Sequence, residues 1–156
     1  MLRTLFFEYP DDPTSWSIED EYMLGASLLV APLFADSATS RRVYLPPGTW
    51  IDYQSGRAYA GARWHEIAAG TVPIVLLVKD HTVLPHVAVA QSTAQIDWKN
   101  VELRTFASDG AAAEGSFILP GGAVQTLRVS GTSVIGDPLS GRVAWRITRP
   151  TITPAD

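Results

Sequence analysis

The chain contains no cysteine, and this excludes several classes of function. Without thiols it can form no disulfide framework, no thiolate zinc site and no cysteine nucleophile. An excess of positive charge is also missing, because 12 Lys and Arg residues stand against 16 Asp and Glu residues, a formal net charge of −4. No basic surface for phosphate backbones is expected, so the predicted partners exclude nucleic acid.

Long hydrophobic runs are scarce as well. The longest, residues 72–78, is far shorter than the ~20 residues that cross a bilayer as a helix, and no charged and then apolar leader opens the chain. We therefore expect no membrane partner. The compartment stays open, although the missing cysteine and the lack of a visible export signal favour the cytoplasm.

Short apolar runs between turn residues are what the chain does contain, and they predict a mainly β fold. The run 27–33 shows no alternation, which is typical of a strand buried on both faces, and residues 43–45 are its predicted partner strand. In 142–148 the alternation predicts Val143, Trp145 and Ile147 on the core side. The predicted strands are 27–33, 41–45, 50–53, 63–67, 72–78, 82–86, 95–98, 101–106, 116–119, 125–129 and 142–148.

The N-terminal segment predicts one strand and one short helix. Residues 2–9 are almost wholly apolar, the pattern of a central strand. Because exposed termini are usually polar, this opening indicates that Met1 is an internal residue or a late start. Ser17 and Asp20 resemble a capping box, which predicts a helix over 16–25 that ends at Gly25. Further along, 109–115 is predicted as a hairpin loop.

One dense group of carboxylates raises the question of a glycosidase pair, for which two carboxyls roughly 5 to 9 Å apart are needed. Three of its members fall in the first turn of the predicted helix, where negative charge is favourable, and two fall in a proline-flanked turn. We therefore predict caps and turns rather than catalysis. The group consists of Asp11, Asp12, Glu19, Asp20 and Glu21.

The histidines and glycines point to no further chemistry. His65, His81 and His86 lie on or beside predicted strands, with no acidic residue at zinc-ligand spacing, so no metal is predicted. Residues 25–27, Gly-Ala-Ser, begin like a nucleophile elbow but lack its second glycine and its preceding strand. The prediction is for no catalytic, cofactor-binding or metal-binding residue, and for no cofactor.

Four aromatic residues, Trp50, Tyr53, Tyr59 and Trp64, crowd one short span. Their ring faces suit stacking on sugars, so a free-standing carbohydrate-binding β-module is one interpretation. Packing in a core or an interface is the favoured one, because tryptophan is mostly buried in folded proteins.

Several motifs in register resemble one known family. They are LRTLFFEYPDDP (2–13), DEYMLGASLLVAPLF (20–34), VYLPPGTW (43–50), RWH (63–65) and VPIVLLVKD (72–80). Over about residues 2–106 they closely resemble the carboxy-terminal part of glycoside hydrolase family 31. The PDDP, YMLG and RWHE details look most like its α-xylosidase branch.

The resemblance implies a layout. It is a β-sandwich fold of a proximal and a short distal carboxy-terminal β-domain, preceded by the last strand and helix of a truncated (β/α)8 barrel. Residues 1–25 would end the barrel, 26–90 would form the proximal sandwich, and 91–156 would form the distal domain with a flexible tail. The family's catalytic aspartates lie upstream on the barrel, so none is assigned to this chain.

The resemblance also implies a role. The chain would be a non-catalytic, structural portion of a retaining, α-xylosidase-like enzyme; an incomplete gene model is a separate possibility. Its expected partner is the missing barrel of the same parent chain. Oligosaccharide substrate would be bound only by that barrel. Contacts with other subunits of an oligomer are a further possibility. Leu2, Phe6 and residues 28–30 are then expected on or near exposed apolar surface.

Overall fold

The computed structural model describes residues 2–120 and 122–155. Two compact units divide the chain, one formed by Met1–Asp80 with Thr151–Asp156 and the other by His81–Pro150. Strands dominate both units, which confirms the mainly β fold class. The predicted boundary at residues 90 and 91 falls inside the second unit, and the division into barrel end, proximal domain and distal domain stays a prediction. Within the described ranges no helix is long and apolar enough to span a membrane.

The elements follow one another in a simple order. Up to residue 80 they are β1 (Leu2–Thr4), α1 (Leu5–Glu8), a 3-10 helix (Pro13–Ser17), β2 (Tyr22–Leu24), β3 (Leu28–Pro32), β4 (Ser40–Leu45), β5 (Thr49–Asp52), β6 (Arg57–Ala60), β7 (Arg63–Ala68) and β8 (Ile74–Lys79). Then come β9 (Thr82–His86), a 3-10 helix (Thr93–Gln95), β10 (Asn100–Phe106), β11 (Ala113–Ile118), β12 (Val124–Ser130), β13 (Ser133–Ile135), β14 (Ala144–Thr148) and β15 (Thr153–Pro154).

The first unit contains two sheets around one core. The larger has the strand order β1-β2-β3-β8-β5-β6-β15, and the smaller pairs β4 with β7. Leu29 and Leu77 from the first sheet share a buried cluster with Leu45 and Ile67 from the second, the arrangement of a sandwich. Three consecutive residues of β3 are buried, which confirms the strand covered on both faces. Its partners are β2 and β8, so the predicted pairing with 43–45 is wrong.

The N-terminal segment differs most from prediction. A three-residue strand at the edge of the sheet and the short helix α1 replace the predicted central strand 2–9. Only Leu5 of α1 is buried, and Phe7 is 70% exposed. A helix of a single turn directs only one of these side chains toward the core. The predicted helix 16–25 is also wrong, because β2 pairs with both β1 and β3. Gly25, at φ 68, lies in the turn between β2 and β3.

The second unit is a six-stranded sheet in the order β13-β12-β11-β9-β10-β14. Because β9 lies between β10 and β11, residues 109–115 form no hairpin loop, and β11 already begins at the buried Ala113. A Cβ at Gly115 would lie 2.1 Å from the carbonyl oxygen of Val83, so glycine permits the close approach of β11 to β9. The core-facing alternation of β14 is confirmed, since Trp145 and Ile147 pack on the buried cluster.

Two more predictions fail at short elements. Residues 95–98 form the end of a 3-10 helix and a turn instead of a strand. The predicted flexible tail is wrong as well, because β15 pairs in parallel with β6 and the amide of Ala155 donates to the carbonyl of Ala58 at 2.8 Å. Pro154 is tolerated there because β15 is an edge strand.

Candidate functional site

The five acidic residues of the N-terminal segment do not act as one group. Asp12 begins the first 3-10 helix, where its Oδ1 accepts from the amide of Thr14 at 3.1 Å, as predicted for a cap. Its Oδ2 accepts from the Tyr44 hydroxyl at 2.7 Å. Asp11 and Glu19 are exposed. The first-turn role predicted for Glu19, Asp20 and Glu21 is wrong, because no helix forms there.

Glu21 is the buried member of the group, with a side chain that is 0% exposed. Its Oε1 accepts from the backbone amide of Tyr44 at 2.8 Å, and Arg41 Nη2 lies 3.8 Å from the same oxygen. Oε2 has no hydrogen-bond partner among the described residues. Burial raises the pKa of Glu21 to about 7, and the Tyr44 amide and Arg41 only partly oppose that effect.

Arg41 holds three segments together at this point. Its Nη1 donates to the carbonyl of Pro32 at 2.7 Å and to that of Asp20 at 3.1 Å, and its Nη2 binds the Asp20 carboxylate. The guanidinium therefore joins β4 to the end of β3 and to the segment before β2. Sequence reasoning missed this cluster, because it placed Glu21 and Asp20 on a helix far from β4.

The aromatic residues divide between core and surface. Trp50 is 0% exposed and donates from Nε1 to the carbonyl of Pro46 at 2.8 Å, and Tyr59 is 8% exposed. Trp64, 40% exposed, packs against Tyr44 with ring centroids 5.5 Å apart. Packing is therefore confirmed for Trp50 and Tyr59. Because these two rings are buried in the core, they are not available for the sugar-stacking surface suggested for Trp50, Tyr53, Tyr59 and Trp64.

The three histidines each contact a different group. His65 Nε2 lies 2.7 Å from the carbonyl of Ala60, and His86 Nδ1 lies 2.9 Å from that of Leu84. His81 Nε2 lies 3.7 Å from Asp109 Oδ2. Over residues 2–120 and 122–155, no three His, Asp or Glu side chains cluster in a way that suits a metal ion.

Five large apolar side chains of the N-terminal segment are exposed. We call this surface the N-terminal apolar face: Leu2, Phe6, Phe7, Trp16 and Leu24, which are 63%, 37%, 70%, 62% and 43% exposed. Leu2 lies opposite Leu24 across β1 and β2, and Phe6 stacks on Trp16 at 5.3 Å. Exposure of Leu2 and Phe6 is confirmed. For 28–30 it is wrong, because Leu29 and Val30 are buried within the sheet.

A recess of about 430 Å³ lies next to this segment, lined by Glu8, Tyr9, Asp11, Asp12, Tyr44 and three prolines. Glu8 is bound by Arg3, and burial raises the pKa of Tyr9 to about 12. Asp12 already accepts two hydrogen bonds. The recess therefore offers aromatic and carboxylate surface without an acid and a nucleophile poised on opposite sides of it.

Comparison with known protein families shows which family the chain belongs to. Residues 1–84, more than half of the chain, match the family described as "Glycosyl hydrolase family 31 C-terminal domain". The chain belongs to this family. The resemblance to the carboxy-terminal part of family 31 is thereby confirmed.

Relatives of this family 31 chain are much longer than it is. It is 36% identical to "Alpha-glucosidase 2" of Bacillus thermoamyloliquefaciens over 97 residues, which cover 62% of this chain and 12% of that protein. It is 27% identical to "Alpha-xylosidase" of Saccharolobus solfataricus over 107 residues, covering 68% of this chain and 15% of that protein. The chain thus spans a small part of the curated relatives that it matches.

Solved family 31 structures share its fold. A GH31 alpha-xylosidase from Xanthomonas citri matches with a TM-score of 0.68 and 27% identity over 81% of this chain and 15% of that one. A Flavobacterium johnsoniae GH31 dextranase matches with a TM-score of 0.72 and 25% identity over 83% of this chain and 18% of that one.

Proposed function

We propose that this chain is the non-catalytic carboxy-terminal portion of a retaining, α-xylosidase-like family 31 glycosidase, and that it supports a catalytic (β/α)8 barrel. The barrel carries the catalytic aspartates and meets the oligosaccharide, and the chain by itself turns over no glycoside. Its carboxylates support this: Asp12 accepts two hydrogen bonds, Asp20 is bound by Arg41, and Glu21 is buried. These three groups do not have the facing arrangement of an acid and a nucleophile.

The N-terminal apolar face is the observation that carries the proposal. Its two most exposed members, Phe7 and Leu2, belong to residues 1–25, the segment that the family resemblance places at the end of the barrel. Burying such surface stabilises an interface by roughly 25 cal/mol per Å². The matched segments cover only 12% and 15% of two relatives, which leaves ample length for a barrel of roughly 250 residues. We therefore assign this face to the barrel.

The α-xylosidase assignment rests on narrower support. The PDDP, YMLG and RWHE motifs favour it, and two of the similar proteins carry that name. Others are named as an alpha-glucosidase and a dextranase, so α-glucoside is the substrate that must be tested beside α-xyloside.

A chimera tests the supporting role. The part of the Xanthomonas citri enzyme that matches this chain is deleted or replaced by this chain, and both products are assayed on aryl α-xyloside and α-glucoside. We expect the deletion to be insoluble or inactive and the chimera to regain solubility and turnover. A matched chimera carrying Leu2→Ser and Phe7→Ser should regain less.

Two results would overturn the proposal separately. A deletion product as soluble and active as the parent would remove the supporting role. Turnover by the purified 156-residue chain, lost when one of its own carboxylates is changed, would remove the non-catalytic role.

A further inference from the structure

We propose that the second unit carries a binding site for a neutral saccharide, in a recess on the outer face of its sheet where β9, β10 and β14 lie side by side. The recess has a volume of about 380 Å³. This value lies at the lower end of the range for small-molecule sites. Its lining includes His86, Ala88, Asn100, Glu102, Ala144 and Arg146.

Strand register brings the polar side chains of this recess together. Glu102 of β10 lies opposite His86 of β9 on one side and opposite Arg146 of β14 on the other. Residues directly opposite each other project from the same face of a sheet, so these three side chains form one row. Asn100 projects from that face too, being two residues before Glu102. The face points away from the core, because Val101 and Leu103, on either side of Glu102 in β10, are buried.

Hydrogen bonds hold these side chains in place without a ligand. Glu102 accepts from the Thr148 hydroxyl at 2.6 Å and from Arg146, and Asn100 Nδ2 donates to Asp97 Oδ2 at 2.7 Å. His86 Nδ1 lies 2.9 Å from the carbonyl of Leu84, an acceptor, so Nδ1 carries the proton. Side chains that already have hydrogen-bond partners lose less conformational entropy on binding, which favours affinity.

The small residues Ala88 and Ala144, both exposed, also line the recess. They leave space between the longer polar side chains. Apolar surface beside a few polar groups is the usual composition of a small-molecule site.

The charges of the recess favour an uncharged ligand. The Thr148 hydroxyl and Arg146 lower the pKa of Glu102, so this residue is a carboxylate at neutral pH and offsets the guanidinium beside it. A phosphate would be repelled by the Glu102 carboxylate, and a cation would be repelled by the Arg146 guanidinium. Sugar hydroxyls both donate and accept, which suits the N–H groups of Arg146 together with the oxygens of Glu102 and Asn100.

This site goes beyond the supporting role proposed above and uses no residue of the first unit. Failure to bind sugar would leave the supporting role intact, and failure of the chimera would leave this site intact.

Titration of the ¹⁵N-labelled chain tests the site, with amide shifts at 100–102 and 144–146 as the readout. Maltotriose, isomaltotriose and xylobiose are the probes, each added to about 50 mM. We expect saturable shifts with at least one sugar and a Kd in the millimolar range, about −4 kcal/mol. Inorganic phosphate at the same concentration should give no saturable shift.

Variants separate specific binding from weak surface contact. Arg146→Ala should raise the Kd about tenfold or more, and Ala144→Leu, which fills the recess without removing a polar group, should do the same. Arg128→Ala is the matched control, because Arg128 is an exposed arginine on β12 of the same sheet. No saturable shift with any sugar, equal shifts in all three variants, or saturation by phosphate alone would overturn the proposal.

Discussion

Glu21 and Tyr44, 23 residues apart in the chain, are joined at 2.8 Å by a hydrogen bond from a buried backbone amide to a buried carboxyl oxygen. The same tyrosine reaches Asp12 through its hydroxyl. One residue of β4 therefore ties down both the segment before β2 and the first 3-10 helix. The carboxyl group of Glu21, which accepts from the Tyr44 amide, has a raised pKa, and this makes the stability of the first unit depend on pH.

We predict that the first unit becomes more stable as the pH falls through neutrality. Burial raises the pKa of Glu21 to about 7 from an ordinary 4.5, so the folded state holds this proton more tightly than the unfolded state does. The stabilisation is complete below about pH 4.5 and is lost as the pH rises through about 7. At 1.36 kcal/mol per pKa unit, the total amounts to about 3 kcal/mol.

Urea unfolding at a series of pH values between about 5 and 8 measures this effect. Glu21→Gln keeps the acceptor for the Tyr44 amide and removes the titrating proton, so its stability should stay nearly flat over that range. Glu19→Gln, at an exposed position, is the control and should keep the wild-type slope. An identical slope in all three proteins would show that Glu21 is not the group responsible.

The hydroxyl of Tyr44 gives a second prediction. Tyr44→Phe removes the bond to Asp12 Oδ2, and a hydrogen bond to a charged group contributes about 1.5 to 3 kcal/mol. Because Asp12 is half-buried and water can take over part of that bond, we expect the lower end of the range. A double-mutant cycle with Asp12→Ala isolates the pair, and additive losses would contradict a direct interaction.

Sequence reasoning succeeded where a segment was long enough for its pattern to be diagnostic. The strand predicted at 82–86 coincides with β9, and the unbroken apolar run of β3 is buried on both faces as expected. Composition and motif order also led to the family that comparison then showed. These signals depend on several consecutive residues that agree with one another.

The failures share a physical cause. The strand β2 and the helix α1 have three and four residues, too few for a period to appear, so pairing with neighbours decides their conformation. The cluster of Glu21, Arg41 and Tyr44 depends on contacts between residues about 20 positions apart. Local capping preferences at Ser17 and Asp20 are worth about 1 kcal/mol, and sheet formation overrides them.

Gly115 provides a third prediction, in the second unit. Gly115→Ala would place a methyl group 2.1 Å from the carbonyl oxygen of Val83, which belongs to the strand β9 and cannot easily move. We expect a loss of about 1 to 3 kcal/mol, with faster hydrogen exchange of the β9 and β11 amides. Gly122→Ala is the comparison variant, because its closest contact would be 3.2 Å and its loss of stability should be smaller. Equal stability of the two variants would contradict the close approach.

The N-terminal apolar face leads to the last prediction, that the isolated chain self-associates. Leu2 and Phe7 are 63% and 70% exposed, so replacing both by serine reduces the apolar surface that the chain exposes to solvent and creates no cavity. Sedimentation velocity should show a shift towards monomer, and binding of a hydrophobic dye should fall. Val89→Ser is the control, because Val89 is fully exposed in the second unit and lies outside the face. A wild-type chain that stays monomeric and binds no dye would argue against an unsatisfied interface, and with it against the contact with a barrel.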